Sequence, residues 1–392
     1  MSTRVNTHLL EEIKAYGDTH PEACFNCGNC TAVCPLSTDG TPFPRRMIRM
    51  AQVGLREDFL SSKELWLCYY CGECSDTCPR KAEPGEFMAA ARRYAIASYE
   101  SLGLGRLLHR RPMWSVVFMV ILAVLLGGFM YTRRGEAPAG HLALFDFIPY
   151  EVIHNLGLAA MVFVGLTGLW GMVNMVRHEV RGRHFEKGVR YNWGQALWDT
   201  LFGEVLAQKR FREACDQGPD APRWYLKKWF VHAMTMWGFL GLLAATILNY
   251  AAELLSIKAT GVWVPLWSPI RLLGTISGLL LTYGASVSIV KRLMKFDRPT
   301  EHSTTADWAF LILLWLSGVT GFAIEAALYL PPPQTWAYWM LLFHVAVAME
   351  MVLLVPFTKF AHVIYRTVAL YFSALKPLPE KKLAPAPSSG MD

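Results

Sequence analysis

Apolar residues follow two different rhythms along this chain, and the change falls near residue 111. Beyond it they gather into six stretches close to the roughly 20 residues that a helix needs to cross a bilayer. These are Met113–Tyr131, Tyr150–Val176, Trp229–Ala252, Pro269–Val290, Thr305–Leu330 and Trp336–Arg366. The last is long for one crossing, so its final turns are expected to emerge into the interface. Residues 1–111 are polar and punctuated by Gly and Pro, and their segment TPFPRRMIRMAQVGL reads as an amphipathic helix. The pattern predicts an all-α chain: a helical domain over 1–111, a six-helix transmembrane bundle over 112–370, and a flexible tail over 371–392 rich in Pro, Lys and Ala. Between the second and third spans, GQALWDTLFGEVLAQKRFREAC has helical spacing with a basic end; an interfacial helix and an ordinary soluble helix fit it equally.

Composition and charge sharpen this picture. Hydrophobic side chains make up 53% of the 392 residues, well above a soluble enzyme. The net charge of +7 comes from basic residues that flank the apolar spans, with no stripe of interleaved aromatics of the kind that binds nucleic acid. Eleven Lys or Arg lie between Arg177 and Lys228 and four between Lys291 and Arg298, whereas the alternate loops hold only Arg133 and Arg134, Lys258, and none. Positive residues mark the cytoplasmic side. The expected protein is therefore a multi-pass protein of the inner (cytoplasmic) membrane, with both termini in the cytoplasm.

Eight of the nine cysteines fall in two copies of C-x2-C-x2-C-x3-C-P: Cys24, Cys27, Cys30, Cys34 and Cys68, Cys71, Cys74, Cys78. Bacterial ferredoxins hold cubane clusters with this spacing, and the fourth cysteine of each run crosses to the other cluster. One [4Fe-4S] cluster is assigned to Cys24, Cys27, Cys30 and Cys78, the other to Cys68, Cys71, Cys74 and Cys34. Tetrahedral zinc suits C-x2-C as well, but two triplets each closed by Cys-Pro favour clusters. Without a secretory signal pattern, disulfides are disfavoured. Cys215 is left over and reads as a packed thiol. Arg45, Arg46, Arg49, Arg80 and Lys81 lie near the motifs, where they balance cluster charge, dock an acidic partner or form a solvated basic face.

Ionisable groups are costly inside hydrocarbon, so histidines in the spans are candidates for function. His344 and His362 are eighteen residues apart on the last span, five whole turns and roughly 27 Å, which puts them on one face unless Pro356 alters the register. Each would supply an axial ligand to a separate b-type haem. By depth, His232 pairs with His362 for the inner haem and His154 with His344 for the outer one. His8, His20, His109, His141, His178, His184 and His302 lie outside the spans and read as solvated or interfacial. Glu253, Glu325, Glu350 and Arg271 are candidates for proton relay or quinone contact, or they pair with one another.

These residues carry a resemblance. The first 100 residues are similar to the C subunit of heterodisulfide reductases, a helical two-cluster ferredoxin. The membrane half is similar to the gamma subunit of respiratory nitrate reductase, a di-haem cytochrome b, on WFVH ending at His232 and PFTKFAH ending at His362. That family's second histidine on the helix of His232 would fall at Leu242, which makes His154 the substitute candidate. A fusion of these modules looks most like the membrane subunit of the quinone-interacting membrane-bound oxidoreductases (Qmo) of sulfate-reducing bacteria. The resemblance implies menaquinone as substrate, flavin-containing heterodisulfide reductase A-like partner subunits, and electron exchange with adenylylsulfate reductase. Electrons would run from quinol through outer haem, inner haem and the two clusters to a cytoplasmic partner. Rival expectations are the membrane subunit of a heterodisulfide reductase or sulfite-reduction complex, and a transmembrane redox sensor or anchor.

Overall fold

The computed structural model describes residues 4–37, 41–138, 142–182, 189–214, 221–259, 264–331 and 334–377. Cys215, His141 and His184 lie outside these ranges, as does the expected tail from residue 378 on. Among the described residues the fold is all-α, with an isolated bridge between Tyr191 and Pro377.

The N-terminal part is built from short helices: α1 (Leu9–Lys14), α2 (Asn29–Val33), α3 (Arg45–Gln52), α4 (Arg56–Leu60), α5 (Glu64–Leu67), α6 (Glu73–Asp76), α7 (Pro84–Tyr99) and α8 (Leu104–Arg110). TPFPRRMIRMAQVGL supplies α3, whose Met47, Ile48, Met50 and Ala51 are buried while Arg46 and Arg49 are exposed. The long helices follow: α9 (Pro112–Thr132), then the short α10 (Leu144–Phe147), and α11 (Tyr150–Gly182). Next come α12 (Trp193–Trp198), a π-helical stretch over Asp199–Leu206, and α13 (Lys209–Ala214). The remainder is α14 (Lys228–Leu254), α15 (Pro269–Leu293), α16 (Arg298–Glu301), α17 (Thr305–Ala327), α18 (Trp336–Leu353) and α19 (His362–Ala374). Among the described residues six helices, α9, α11, α14, α15, α17 and α18, are long and apolar enough to cross a membrane. Their starts are marked by local chemistry. Proline at the first position opens α9 and α15, where its missing N–H costs nothing, and a capping box of Thr304 and Asp307 opens α17.

Close approach ties the bundle together. A Cβ on Gly238 of α14 would sit 2.4 Å from the backbone nitrogen of Leu281, and one on Gly284 of α15 would sit 2.8 Å from that of Thr235. Only glycine permits that backbone contact, the usual device of helix packing in lipid. The cluster-bearing part caps one end of the bundle, and its core runs into the membrane helices without a break. Trp66, Tyr99 and Tyr365 are fully buried and share one apolar cluster with Met175 of α11 and Ala369 of α19. Each such side chain contributes about 1.5–3 kcal/mol on burial.

The sixth span departs from expectation. Trp336–Arg366 is not one helix: α18 ends at Leu353, two 3-10 turns follow at Val355–Phe357 and Lys359–Ala361, and α19 starts at His362. Pro356 has no N–H to continue the ladder, and the Thr358 backbone turns extended while its hydroxyl donates to the Leu354 carbonyl at 2.9 Å. The five-turn register between His344 and His362 therefore does not exist. Helix α19 also continues through Tyr371–Ala374, past the boundary expected for the tail.

Candidate functional site

Two cysteine loops share one backbone design. The residue before the second cysteine has positive φ in each copy (Asn26 at 71°, Tyr70 at 55°), and so does the glycine after it (Gly28 at 96°, Gly72 at 98°). Glycine takes that conformation without the Cβ penalty. The reversal wraps the first two cysteines around a space and starts α2 or α6, which presents the third, Cys30 or Cys74. α2 packs against α6, so the residue ending each run lies beside the opposite loop. One cavity is lined by Cys24, Cys27, Cys30 and Cys78, with Arg45 and Arg80 at its edge. The other is lined by Cys34, Cys68, Cys71 and Cys74, with Phe43, Tyr70 and Met88. The structure thus brings the eight thiols together in the crossed arrangement. Among the described residues no group of three or more His, Cys, Asp or Glu is placed to hold a single metal ion. Four thiols at each cavity match the one thiolate per iron that a cubane takes. Backbone N–H groups of Tyr70 and Ala82 donate to the sulfurs of Cys68 and Cys78 at 3.3 and 3.4 Å. Burial pushes the Cys34 thiol up to about 12 and raises those of Cys30, Cys71 and Cys74. Binding iron must displace those protons.

At the cluster-facing end of the bundle, His232 on α14 and His362 at the start of α19 present their rings to each other, centroids 6.4 Å apart and planes inclined at 62°. The Nδ1 of His362 meets the Lys359 carbonyl at 2.6 Å, and the Nδ1 of His232 meets Oε1 of Gln208 at 3.1 Å. Both partners only accept, so each Nδ1 carries the proton and each Nε2 keeps a free lone pair. Gln208 is a contact of His232 that the sequence did not single out. It is buried, has a φ of 50°, and sits in the break between the π-helical stretch and α13, where a continuous helix was expected. Its amide nitrogen is fixed in turn on the sulfur of Met236 at 3.4 Å. A π-helical turn next to a glutamine, in a segment of helical periodicity, leaves little sequence signal.

His344 and His154, expected to pair, each contact other side chains. His344 Nδ1 lies 2.8 Å from the Thr320 hydroxyl, whose single proton goes to the Leu316 carbonyl at 2.5 Å, so His344 also donates from Nδ1. Its ring faces α17, where a Cβ on Gly321 would lie 3.3 Å from it. His154 instead stacks between Tyr150 and Tyr250, at 5.8 and 5.0 Å. Tyr150 donates to Glu253, which also accepts from Asn249 at 3.0 Å and Lys258 at 3.2 Å. Arg271 and Glu325 pair with each other at 2.7 Å. Glu350 is buried, its Oε1 without a hydrogen bond among the described residues.

His109 is not a solvated residue. It is buried on α8 near Asp307 and Arg93, and burial, reinforced by Arg93, pushes its pKa down to about 3. His178 pairs with Glu57 at 3.2 Å, while His8 and His20 are exposed and His302 is half-buried.

Comparison with known proteins matches both halves. Residues 20–82 match the 4Fe-4S dicluster domain, and residues 113–382 match the Citrate utilization protein B family. The N-terminal region is 40% identical over 92 residues to the C subunit of the H(2):CoB-CoM heterodisulfide,ferredoxin reductase of Methanothermobacter thermautotrophicus, covering 23% of this chain and 49% of that one. It is 34% identical over 108 residues to a protein of Archaeoglobus profundus described as like the heterodisulfide reductase C subunit, covering 26% and 57%. The Citrate utilization protein B of Escherichia coli is 28% identical over 167 residues, 40% of each chain. The chain spans about half the length, or less, of these relatives. With its match extending over most of the sequence, the chain belongs to the Citrate utilization protein B family and carries a 4Fe-4S dicluster domain ahead of that membrane region.

Proposed function

We propose that this protein is the membrane electron-transfer subunit of a redox complex, carrying electrons between menaquinol in the bilayer and a cytoplasmic flavoprotein partner. In this reading residues 1–111 form the cytoplasmic two-cluster domain and 112–370 a cytochrome b. The observation that carries it is the facing pair His232 and His362. The two rings face each other with centroids 6.4 Å apart, and each could offer its Nε2 lone pair to the iron of a b-type haem. Both histidines donate from Nδ1 to an oxygen, the arrangement by which a ligating imidazole is held in the right tautomer and made more basic.

A b haem at this position would accept and release one electron at a time, converting two-electron quinol oxidation into single steps. The chain's own residues orient the two imidazoles, through Gln208 and the Lys359 carbonyl, and mount them on the cluster domain. His344 keeps a free Nε2, whereas His154 is held in its tyrosine stack, so the proposal of an outer haem rests on His344. The sulfate-respiration assignment, with heterodisulfide reductase A-like subunits and adenylylsulfate reductase downstream, rests on the likeness of the whole fusion to the Qmo membrane subunit. A second reading, the membrane subunit of a heterodisulfide reductase-type complex, is favoured by the names of the N-terminal relatives.

The test is reduction of the purified protein by a menaquinol analogue, followed in the visible spectrum. Reduction of a b-type band is expected. A b-type band that no quinol reduces would sink the quinone reading.

A further inference from the structure

Two clusters in one domain leave open which of them faces the membrane half. Contacts from beyond residue 111 converge on the second cysteine loop. Lys228, four residues before His232 on α14, donates to the Cys71 carbonyl at 3.4 Å. Arg366, four residues after His362 on α19, donates from Nη1 to the carbonyls of Trp66 at 2.8 Å and Cys68 at 3.1 Å. A four-residue step on a helix keeps each cation on the face of its histidine. An aromatic bridge runs alongside. Phe211 stands edge-on to His232 at 5.4 Å and lies flat on Tyr69, between Cys68 and Cys71, at 5.3 Å and 5°. Arg366 covers Tyr69 at 4.6 Å. Arg298 packs against Gly72 in the same loop.

The first loop has the opposite surroundings. Gln52, within the N-terminal part, donates to the Cys24 carbonyl at 3.1 Å. Phe25 is 62% exposed, and Cys27 is exposed too. Arg80 lies over the Phe25 ring at 5.7 Å, and Arg45 donates to the Asn26 carbonyl at 3.4 Å.

We propose that the cluster of Cys34, Cys68, Cys71 and Cys74 is the one that exchanges electrons with the membrane half, while the cluster of Cys24, Cys27, Cys30 and Cys78 faces the soluble redox partner. Lys228 and Arg366 are positioning residues that dock the second loop onto the histidine-bearing helices. This ordering deepens the reading above and rests on its claim that electrons cross between the two halves. With both clusters bound, the thiolates of Cys34, Cys68, Cys71 and Cys74 would hold the one that takes a single electron from the membrane half, and those of Cys24, Cys27, Cys30 and Cys78 the one that would receive it, reoxidising the first, and give it up to an oxidised flavin-type acceptor on the partner.

Reduction adds negative charge, so a cation on the loop favours the reduced form. Arg366→Gln keeps an N–H donor for the Trp66 and Cys68 carbonyls but removes the charge. The experiment is a mediator titration with dithionite, read by EPR on the full-length protein in detergent, with the two signals assigned by Cys27→Ser and Cys71→Ser. In Arg366→Gln, the signal lost in Cys71→Ser should become about tenfold harder to reduce at a given potential, a shift of about 59 mV to more negative values for one electron. The signal lost in Cys27→Ser should stay in place. A shift of the Cys27 signal, or of neither, overturns the ordering. The wild-type protein gives a second measurement if a variant does not fold: a water-soluble nickel chelate should speed relaxation of the Cys27 signal more than the Cys71 signal, and the reverse or equal effects would refute the proposal. Because no quinol enters these assays, they fail or succeed independently of the quinone reading.

Discussion

Replacing Gln208 by leucine probes the support of the inner histidine pair more sharply than replacing the histidines themselves. The side chain is 4% exposed and accepts the Nδ1–H of His232 at 3.1 Å. Leucine preserves volume, and as a β-carbon residue it meets the same backbone cost at φ 50°, so the main change is loss of the acceptor. A buried donor left without a partner costs about 1–3 kcal/mol. Removing the partner of a ligating histidine typically lowers affinity 10–100-fold, which is about 1.4–2.7 kcal/mol, so the two estimates agree. Haem titration into the haem-depleted protein should show weaker binding at one site by this factor. Gln208→Glu, which restores an acceptor and adds negative charge, should recover binding and lower the haem potential. Unchanged affinity in Gln208→Leu would refute the claim that Gln208 supports a ligand.

Three further outcomes follow from local geometry. Gly72→Ala should destroy the second-loop cluster while sparing the first, because φ is 98° and the new Cβ would lie 2.9 Å from that of Arg298; Gly103→Ala, where φ is 75° with open space, should cost only about 1–2 kcal/mol of stability and no iron. Gly238→Ala should part α14 from α15 and lower the thermal unfolding temperature by several degrees, a shift absent from Gly128→Ala, where a Cβ meets nothing within 4 Å. Since His109 titrates near 3 when folded and near 6.5 when unfolded, the unfolded chain gains the proton first on acidification. Stability should therefore fall as pH drops from 6.5 towards 3, by on the order of 5 kcal/mol at most, and be insensitive to this group above 6.5; His109→Leu should flatten that slope in unfolding curves taken at successive pH values.

Much of the fold was legible in the sequence because hydrophobic length and cysteine spacing are local signals. The starts of α14, α15 and α17 fall within a residue of where the apolar stretches begin, since Pro269 and the capping pair Thr304 and Asp307 set the latter two starts. The crossed cysteine sets follow from a spacing that the short α2 and α6 enforce. What sequence concealed was set by tertiary contact. The break after Leu353 depends on Pro356 acting together with Thr358, and ideal periodicity read through it. Gln208 has no motif; its contact with His232 arises where the π-helical stretch gives way to α13. His154 satisfied a depth argument, yet two tyrosines claim its ring. His109 lay outside every span and still became buried, because α8 tucks beneath Leu354 and Phe357.

The central claim is that His232 and His362 ligate one haem above the clusters. Haem, iron and sulfide quantification on wild type, His232→Ala and His362→Ala, with reduced-minus-oxidised spectra, tests it most directly. Either variant should lose the same b-type component while retaining about eight cluster irons, the content of two cubanes. Full haem content and an unchanged spectrum in either variant would contradict the account.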